Sequence, residues 1–176
     1  MNRHPGGDEH TKEMLRLASV TVPARILDMG AGDGQTVRLL RNLGFYAQGI
    51  DLISSTDVTG GDFLHTPYDA GSFDVILSQC SFFVSGRIQE AFAEAYRVVK
   101  LHGFLLYSDV GIRNSQGPID SVVNAGFHVI CFQDMTDIWR RYYAECLWRG
   151  KDISKLYCPI PGKKYGYYML ICRKEG

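Results

Sequence analysis

The sequence predicts an α/β fold: a doubly wound, mostly parallel sheet with helices on both faces. Three observations predict it. Strand-like and helix-like apolar patterns alternate along almost the whole chain, as repeated strand–helix–strand units require. The first apolar run ends in glycines at every second position, Gly30, Gly32 and Gly34, with a helical pattern directly behind. The run "FDVILSQ" at 73–79 is nearly continuous in apolar residues, which marks a central parallel strand covered on both faces.

Element by element, residues 11–20 place Met14, Leu15 and Ala18 at helical spacing, and Pro23 stops that helix. Residues 25–30, "RILDMG", form the first strand; helical spacing resumes at Val37, Leu40 and Leu43 and ends at Gly44. Residues 46–52 are the second strand, and 73–79 the central one. Ile88, Ala91, Phe92, Ala95, Val98 and Val99 stripe a helix over 86–100, ended by His102-Gly103. "FLLYSDV" at 104–110 is the next strand, a helix follows at 118–125, and Gly126 leads into the strand "FHVICFQDM". Residues 136–148 are helical by spacing, with Thr136 as N-cap. After the turn-rich "CPIPGKKYG", the strand "YYMLICRK" closes the chain. A helix and a turn precede it, so it can insert antiparallel. In such a sheet a ligand binds at the carboxyl ends of the strands, where the order reverses. The glycines fall there.

Composition narrows the function. A chain of 176 residues that is 45% hydrophobic is one domain, 1–176, with one core. Nineteen acids balance nineteen bases, so no net field favours nucleic acid or a membrane surface. Residues 113–176 carry ten bases against six acids, a solvated face or an attraction for an anionic substrate. The five cysteines form no CxxC pair and are odd in number, which argues against a disulfide framework or structural zinc and for a reducing cytoplasm. His65, His102 and His128 show no metal-ligand spacing. No apolar stretch approaches the ~18 residues of a membrane span, and the N-terminus is too polar for a secretory signal. These features leave a small molecule as the expected partner.

The glycine turn reads Asp28-Met-Gly30-Ala31-Gly32-Asp-Gly34. A dinucleotide turn, GxGxxG, would place its third glycine at position 35, which here is Gln35. The DxGxGxG form resembles motif I of the class I S-adenosylmethionine-dependent methyltransferases. Asp51, 51 − 30 = 21 positions after the first glycine, ends the second strand where a carboxylate accepts ribose hydroxyls. That role is shared with NAD sites, so Asp51 alone does not discriminate. Further matches are "GGDF" at 60–63 and "SFDVILSQCSF" at 72–82, followed by "EAYRVVKLHGFLLYSD". The resemblance implies a seven-strand sheet with the last strand antiparallel and S-adenosyl-L-methionine as cofactor. It makes residues 23–112 the cofactor half and 113–176 the C-terminal half. By resemblance, Asp28 and the glycines face the amino-acid part and ribose, and Asp51 with Leu52 the ribose and adenine. Gly61, Asp62 and Phe63 then face the adenine, and Gln79 and Cys80 flank the ligand. The sequence departs from the family in one place: only "LISST" separates Asp51 from the third strand. Five residues give ~7.5 Å of helix at most, so this crossover is a short loop or single turn, and the face it leaves open is one for a second copy, a partner chain or the N-terminal segment to cover.

The family's reaction is methyl transfer, here to a small-molecule acceptor. The alternatives are a module that holds the ligand without turnover and, further off, an NAD(P)-dependent oxidoreductase. A sulfonium donor is already activated, so the protein's tasks are alignment, exclusion of water and, for some acceptors, a base. Asp109 ends a strand at the ligand rim, where it either serves the acceptor or caps the following loop; Arg113 lies nearby. Tyr142 shares a stripe with Trp139 and Tyr143, either core or the wall of an acceptor pocket. Cys80 is either a nucleophile or a small buried hydrophobe. Within residues 1–22, His4 and His10 flank "PGGDE", a lid over the ligand or a frayed terminus.

Overall fold

The computed structural model describes residues 4–112, 118–150 and 164–176. Arg113 and most of "CPIPGKKYG" lie outside them. The strands are β1 (Arg25–Met29), β2 (Tyr46–Asp51), β3 (Val58–Gly60), β4 (Phe73–Gln79), β5 (Val99–Ile112), β6 (Phe127–Asp134) and β7 (Tyr165–Lys174). They form one sheet in the order β3-β2-β1-β4-β5-β7-β6. The first five are mutually parallel, and β7 runs antiparallel between β5 and β6. Strand order reverses between β1 and β4. The expected doubly wound, seven-strand sheet with an antiparallel last strand is what the chain forms.

The helices are α1 (Gly7–Leu17), α2 (Gln35–Asn42), α3 (Ile88–Val98), α4 (Pro118–Asn124) and α5 (Thr136–Trp148). Alternate residues of the central strands serve opposite faces. Ile26, Val75, Leu77 and Leu106 pack with Met14 of α1 and with Val37 and Leu40 of α2. Leu27, Ile76 and Leu105 pack with Phe92, Ala95 and Val98 of α3 and with Val122 of α4. Both faces being covered is why these strands are apolar at nearly every position.

Four boundaries differ from expectation. Helix α1 begins at Gly7, favoured by Asp8 and Glu9 in its first turn. It ends well before Pro23: Ser19, at φ +52, closes it through Ser19 N–H to Arg16 C=O and Val20 N–H to Leu15 C=O, a Schellman-type stop. Strand β5 begins at Val99, which pairs with Phe73 before a register shift brings Phe104 opposite Val75. The shift is taken up around Gly103, where a Cβ would lie 2.7 Å from Asp74 O. Finally, Met135 rather than Thr136 is the N-cap of α5, and Asp134 just before it accepts the Thr136 N–H at 2.9 Å.

Between β2 and β3 there is no helix, as the short spacer requires. Asp57 holds this loop against α2, taking Arg38 at 2.8 Å and Arg41 at 2.6 Å. Leu52 and Ile53 are left 76% and 78% exposed.

Candidate functional site

The carboxyl ends of β1 and β4 meet at the reversal point. The turn after β1 is anchored across to β2, with Gly30 N–H and Ala31 N–H both donating to Ile50 C=O at 2.9 and 3.1 Å. Gly30, Gly32 and Gly34 all have positive φ, the region glycine enters without steric cost. Their surroundings differ. A Cβ at Gly32 would meet nothing within 4 Å, whereas one at Gly30 would lie 2.2 Å from the Ser81 side chain. Gly32 therefore leaves room for a ligand. The glycine at 30, expected to do the same, instead makes room for Ser81, whose hydroxyl donates to Gly30 C=O at 3.0 Å.

Asp51 binds the turn directly: one carboxylate oxygen accepts the Gly32 N–H at 2.8 Å. Asp28 is the contrasting acid. It is 4% exposed, and among the described residues no hydrogen bond reaches its carboxylate. Burial, and secondarily the negative Asp51, pushes its pKa up to about 7. A buried carboxylate without a donor favours a cationic partner. It lines a cavity of about 60 Å³ together with His4, Gly30, Ala31, Asp33 and Gln79.

The β4 end is tied to the N-terminal segment. Gln79 accepts a hydrogen bond from Thr11 Oγ1 at 3.1 Å, and its amide nitrogen lies 3.4 Å from His4 Nδ1. Thr11 was not singled out in the sequence; a small polar residue beside His10 on α1's buried face carries only a weak signal. Cys80 adopts φ +59, with its sulfur 3.3 Å from the Tyr167 hydroxyl. Burial, with Asp109 beside it, raises the thiol far above its ordinary range, which disfavours the thiolate that a nucleophile needs. Asp109 accepts the Phe83 and Val110 N–H groups at 3.0 and 2.7 Å. It is buried within β5 and holds the turn after β4, neither the loop that follows its own strand nor an open rim. Burial raises its pKa to about 7, against these amide hydrogen bonds.

On the β3 side, Gly61 N–H donates to Asp51 C=O at 2.8 Å. The exposed Asp62 accepts its own loop's Leu64 N–H at 2.8 Å. Phe63 stacks on Phe82 at 5.4 Å, close beside Gly30. The loop is fastened below by Glu94, which accepts the Thr66 N–H and hydroxyl at 2.8 and 2.7 Å. Tyr142 lies elsewhere: half-buried on α5, it lines an open cleft of about 670 Å³ with Gly6, Ile138, Arg141, Glu145 and Trp148. No group of acids, histidines or cysteines among the described residues could hold a metal ion. No described helix is long and apolar enough to cross a membrane.

A parallel sheet with two acids and a glycine turn at its reversal point defines a Rossmann-like nucleotide-type site. Comparison with known proteins narrows the class. Residues 27–107 match the methyltransferase domain family. The glycine/sarcosine/dimethylglycine N-methyltransferase of Actinopolyspora halophila is 31% identical over 148 residues, covering 66% of this chain and 26% of that protein. Malonyl-[acyl-carrier protein] O-methyltransferase 1 of Coxiella burnetii (strain RSA 493 / Nine Mile phase I) is 30% identical over 124 residues, covering 66% and 44%. The chain thus spans less than half the length of these curated relatives. Among solved structures, the [4+2]-cyclase SpnF superposes with a TM-score of 0.78 at 20% identity, over 99% of this chain and 83% of that one. Phosphoethanolamine N-methyltransferase 2 of Haemonchus contortus, in complex with S-adenosyl-L-methionine, gives 0.73 at 18% identity, over 98% and 54%. Residues 27–107 thus carry a methyltransferase-domain sequence, set in the fold that this chain shares with S-adenosylmethionine-dependent methyltransferases.

Proposed function

We propose that this chain binds S-adenosyl-L-methionine at the β1/β4 reversal and transfers its methyl group to a small-molecule acceptor. The observation that carries the reading is Asp28: a buried carboxylate with no hydrogen bond from the described residues, facing a cavity beside a glycine whose missing side chain leaves open space. Those features fit the ammonium end of the donor. Asp28 and Gly32 would hold the amino-acid part and Asp51 the ribose, with Leu52, Gly61, Asp62 and Phe63 around the adenine. When bound, the donor supplies an activated sulfonium methyl with a neutral leaving group. The protein's share is to align, to keep water out and to seat the acceptor. The cleft between Gly6 and α5, with Tyr142 in its wall, is the proposed acceptor side.

The balanced charge supports a small-molecule partner over nucleic acid or membrane. The four unpaired cysteines among the described residues support a reducing cytoplasm. A second copy over the exposed Leu52–Ile53 loop remains part of the proposal.

Calorimetric titration with S-adenosylhomocysteine and with NADH tests the donor reading. Binding of the first at micromolar level, weakened by Gly32→Arg and Asp51→Ala, and none of the second, is expected. Turnover is a separate matter, because Asp109 is engaged as a cap and a cyclase shares the fold. A module that holds the donor without turnover would bind S-adenosylhomocysteine equally well yet form none of it from an acceptor library.

A further inference from the structure

The N-terminal segment reaches into the pocket assigned to the donor. His4 is 7% exposed, and its ring lines the same small cavity as Asp28, Gly30 and Gln79. With His4 in place that cavity holds about 60 Å³, room for a few waters but far below the ~300 Å³ of even a small ligand pocket. The imidazole and the amino-acid end of the donor compete for one space.

The segment has the mechanics to leave. Gly6 and Gly7 are consecutive residues with positive φ, +79 and +54, and a Cβ at Gly6 would lie 2.7 Å from His10 Cβ. Downstream, α1 is fixed by the fully buried Met14 and by Thr11 on Gln79. Upstream, His4 C=O accepts the Gly7 N–H at 3.1 Å, while its ring is held only through Nδ1, which lies 3.4 Å from Gln79 Nε2 and 3.3 Å from Pro5 O and can hydrogen-bond only one of them in a given tautomer. A firm helix, a glycine pair and a weakly held ring follow one another in seven residues. The segment also divides two spaces, since His4 bounds the donor cavity and Gly6 the 670 Å³ cleft beside α5. Lifting it joins them.

We propose that His4 and Pro5 form a strap hinged at Gly6–Gly7 and latched on Gln79, which blocks the donor pocket when down and connects it to the acceptor cleft when raised. The strap rests on the reading of the pocket as the S-adenosylmethionine site. A strap down about nine-tenths of the time lowers the apparent donor affinity about tenfold. Cutting the side chain back at His4 removes the competitor while Asp28, Gly32 and Asp51 stay in place.

The test is binding of S-adenosylhomocysteine to the full chain and to His4→Ala by calorimetry and stopped-flow mixing, with the His4 ring followed by NMR. Expected are about tenfold tighter and faster binding by His4→Ala. Saturating ligand should also move the His4 ring signal in the wild type to a water-exposed position, while the His10 signal stays buried. Tight binding by His4→Ala and none by the wild type also supports the strap. Equal or weaker binding by His4→Ala, or a His4 signal unmoved at saturation, overturns the strap and leaves the donor reading standing. Binding by neither protein, both folded by circular dichroism, overturns the donor reading and the strap with it.

Discussion

The state of Asp28 makes donor binding depend on pH in a way that can be worked out beforehand. Burial, reinforced by Asp51, places its pKa at about 7 in the unliganded protein. A cationic ligand needs the ionised form, so binding near neutrality releases a proton. At pH 8 the carboxyl is mostly ionised, and at pH 5.5 only roughly 3% of it is. Affinity for S-adenosylhomocysteine should therefore fall about thirtyfold from pH 8 to pH 5.5, roughly 2 kcal/mol. Asp28→Asn removes both the charge and the titration. It should weaken binding at pH 8 by about 10- to 100-fold, as expected for a lost charged hydrogen bond, and flatten the pH profile. Stability moves the other way. A carboxyl whose folded pKa is raised from 3.8 to about 7 favours the fold below pH 4, and that contribution is lost as pH rises through 7. Asp28→Asn should thus stabilise the unliganded protein at pH 8, by up to roughly 4 kcal/mol. Calorimetry across pH and urea unfolding at pH 8 measure both effects. An Asn variant that binds as tightly as the wild type with the same slope would refute the assignment of Asp28 to a ligand cation.

Three further outcomes follow from packing and burial. Gly30→Ala sets a Cβ 2.2 Å from Ser81 in a left-handed backbone, costing about 2–4 kcal/mol by urea unfolding; adding Ser81→Gly should restore part of it, and no restoration would acquit the contact. Glu94→Ala strips Thr66 of the two hydrogen bonds it donates to α3, leaving only the longer ones it accepts from Arg97 at 3.3 and 3.4 Å. It should cost about 2–3 kcal/mol and speed amide exchange in residues 61–66, and unchanged exchange would count against Glu94 as the loop's anchor. His10 is held down at about 4 by burial and next by His4. Its contribution, roughly 3 kcal/mol, is present above pH 6.5 and lost as pH falls through 4. Asp28 and Asp109 slope the opposite way, so the measurement is the difference between wild type and His10→Gln from pH 7 to 4.

The sheet was legible because each strand is a dense apolar run between turn residues, and covering both faces leaves little room for other patterns. The missing crossover helix could be read from spacer length; for β7 the spacer only allowed an antiparallel course, and the family resemblance implied it. What escaped was decided by contacts between distant residues. Gly30 was assigned to the ligand, since only the fold brings Ser81, 51 positions away, against it. Asp109 was legible as a buried strand acid at the rim. That its oxygens turn to the amides of 83 and 110 follows from the bend after β4, where Cys80 takes a positive φ no periodicity announces. The early start of β5 and the Met135 N-cap of α5 are local events that propensity does not resolve.

The two ends of the site are guarded differently, and electrostatics explains why. At the Asp28 end an ionisable group is buried without a hydrogen bond from the described residues, and it stays cut off from bulk water beside a cavity with room for only a few waters, since a fully solvated carboxyl would ionise at its ordinary pKa. The N-terminal segment provides that exclusion through His4, with Gln79 and Thr11 behind it. At the adenine end no buried charge needs protection. Asp62 is exposed and Leu52 is 76% exposed, and the loop that replaces a crossover helix is fastened by Asp57 between two arginines. Surface ion pairs of this kind add only about 0–1 kcal/mol each, enough to position a loop without packing it.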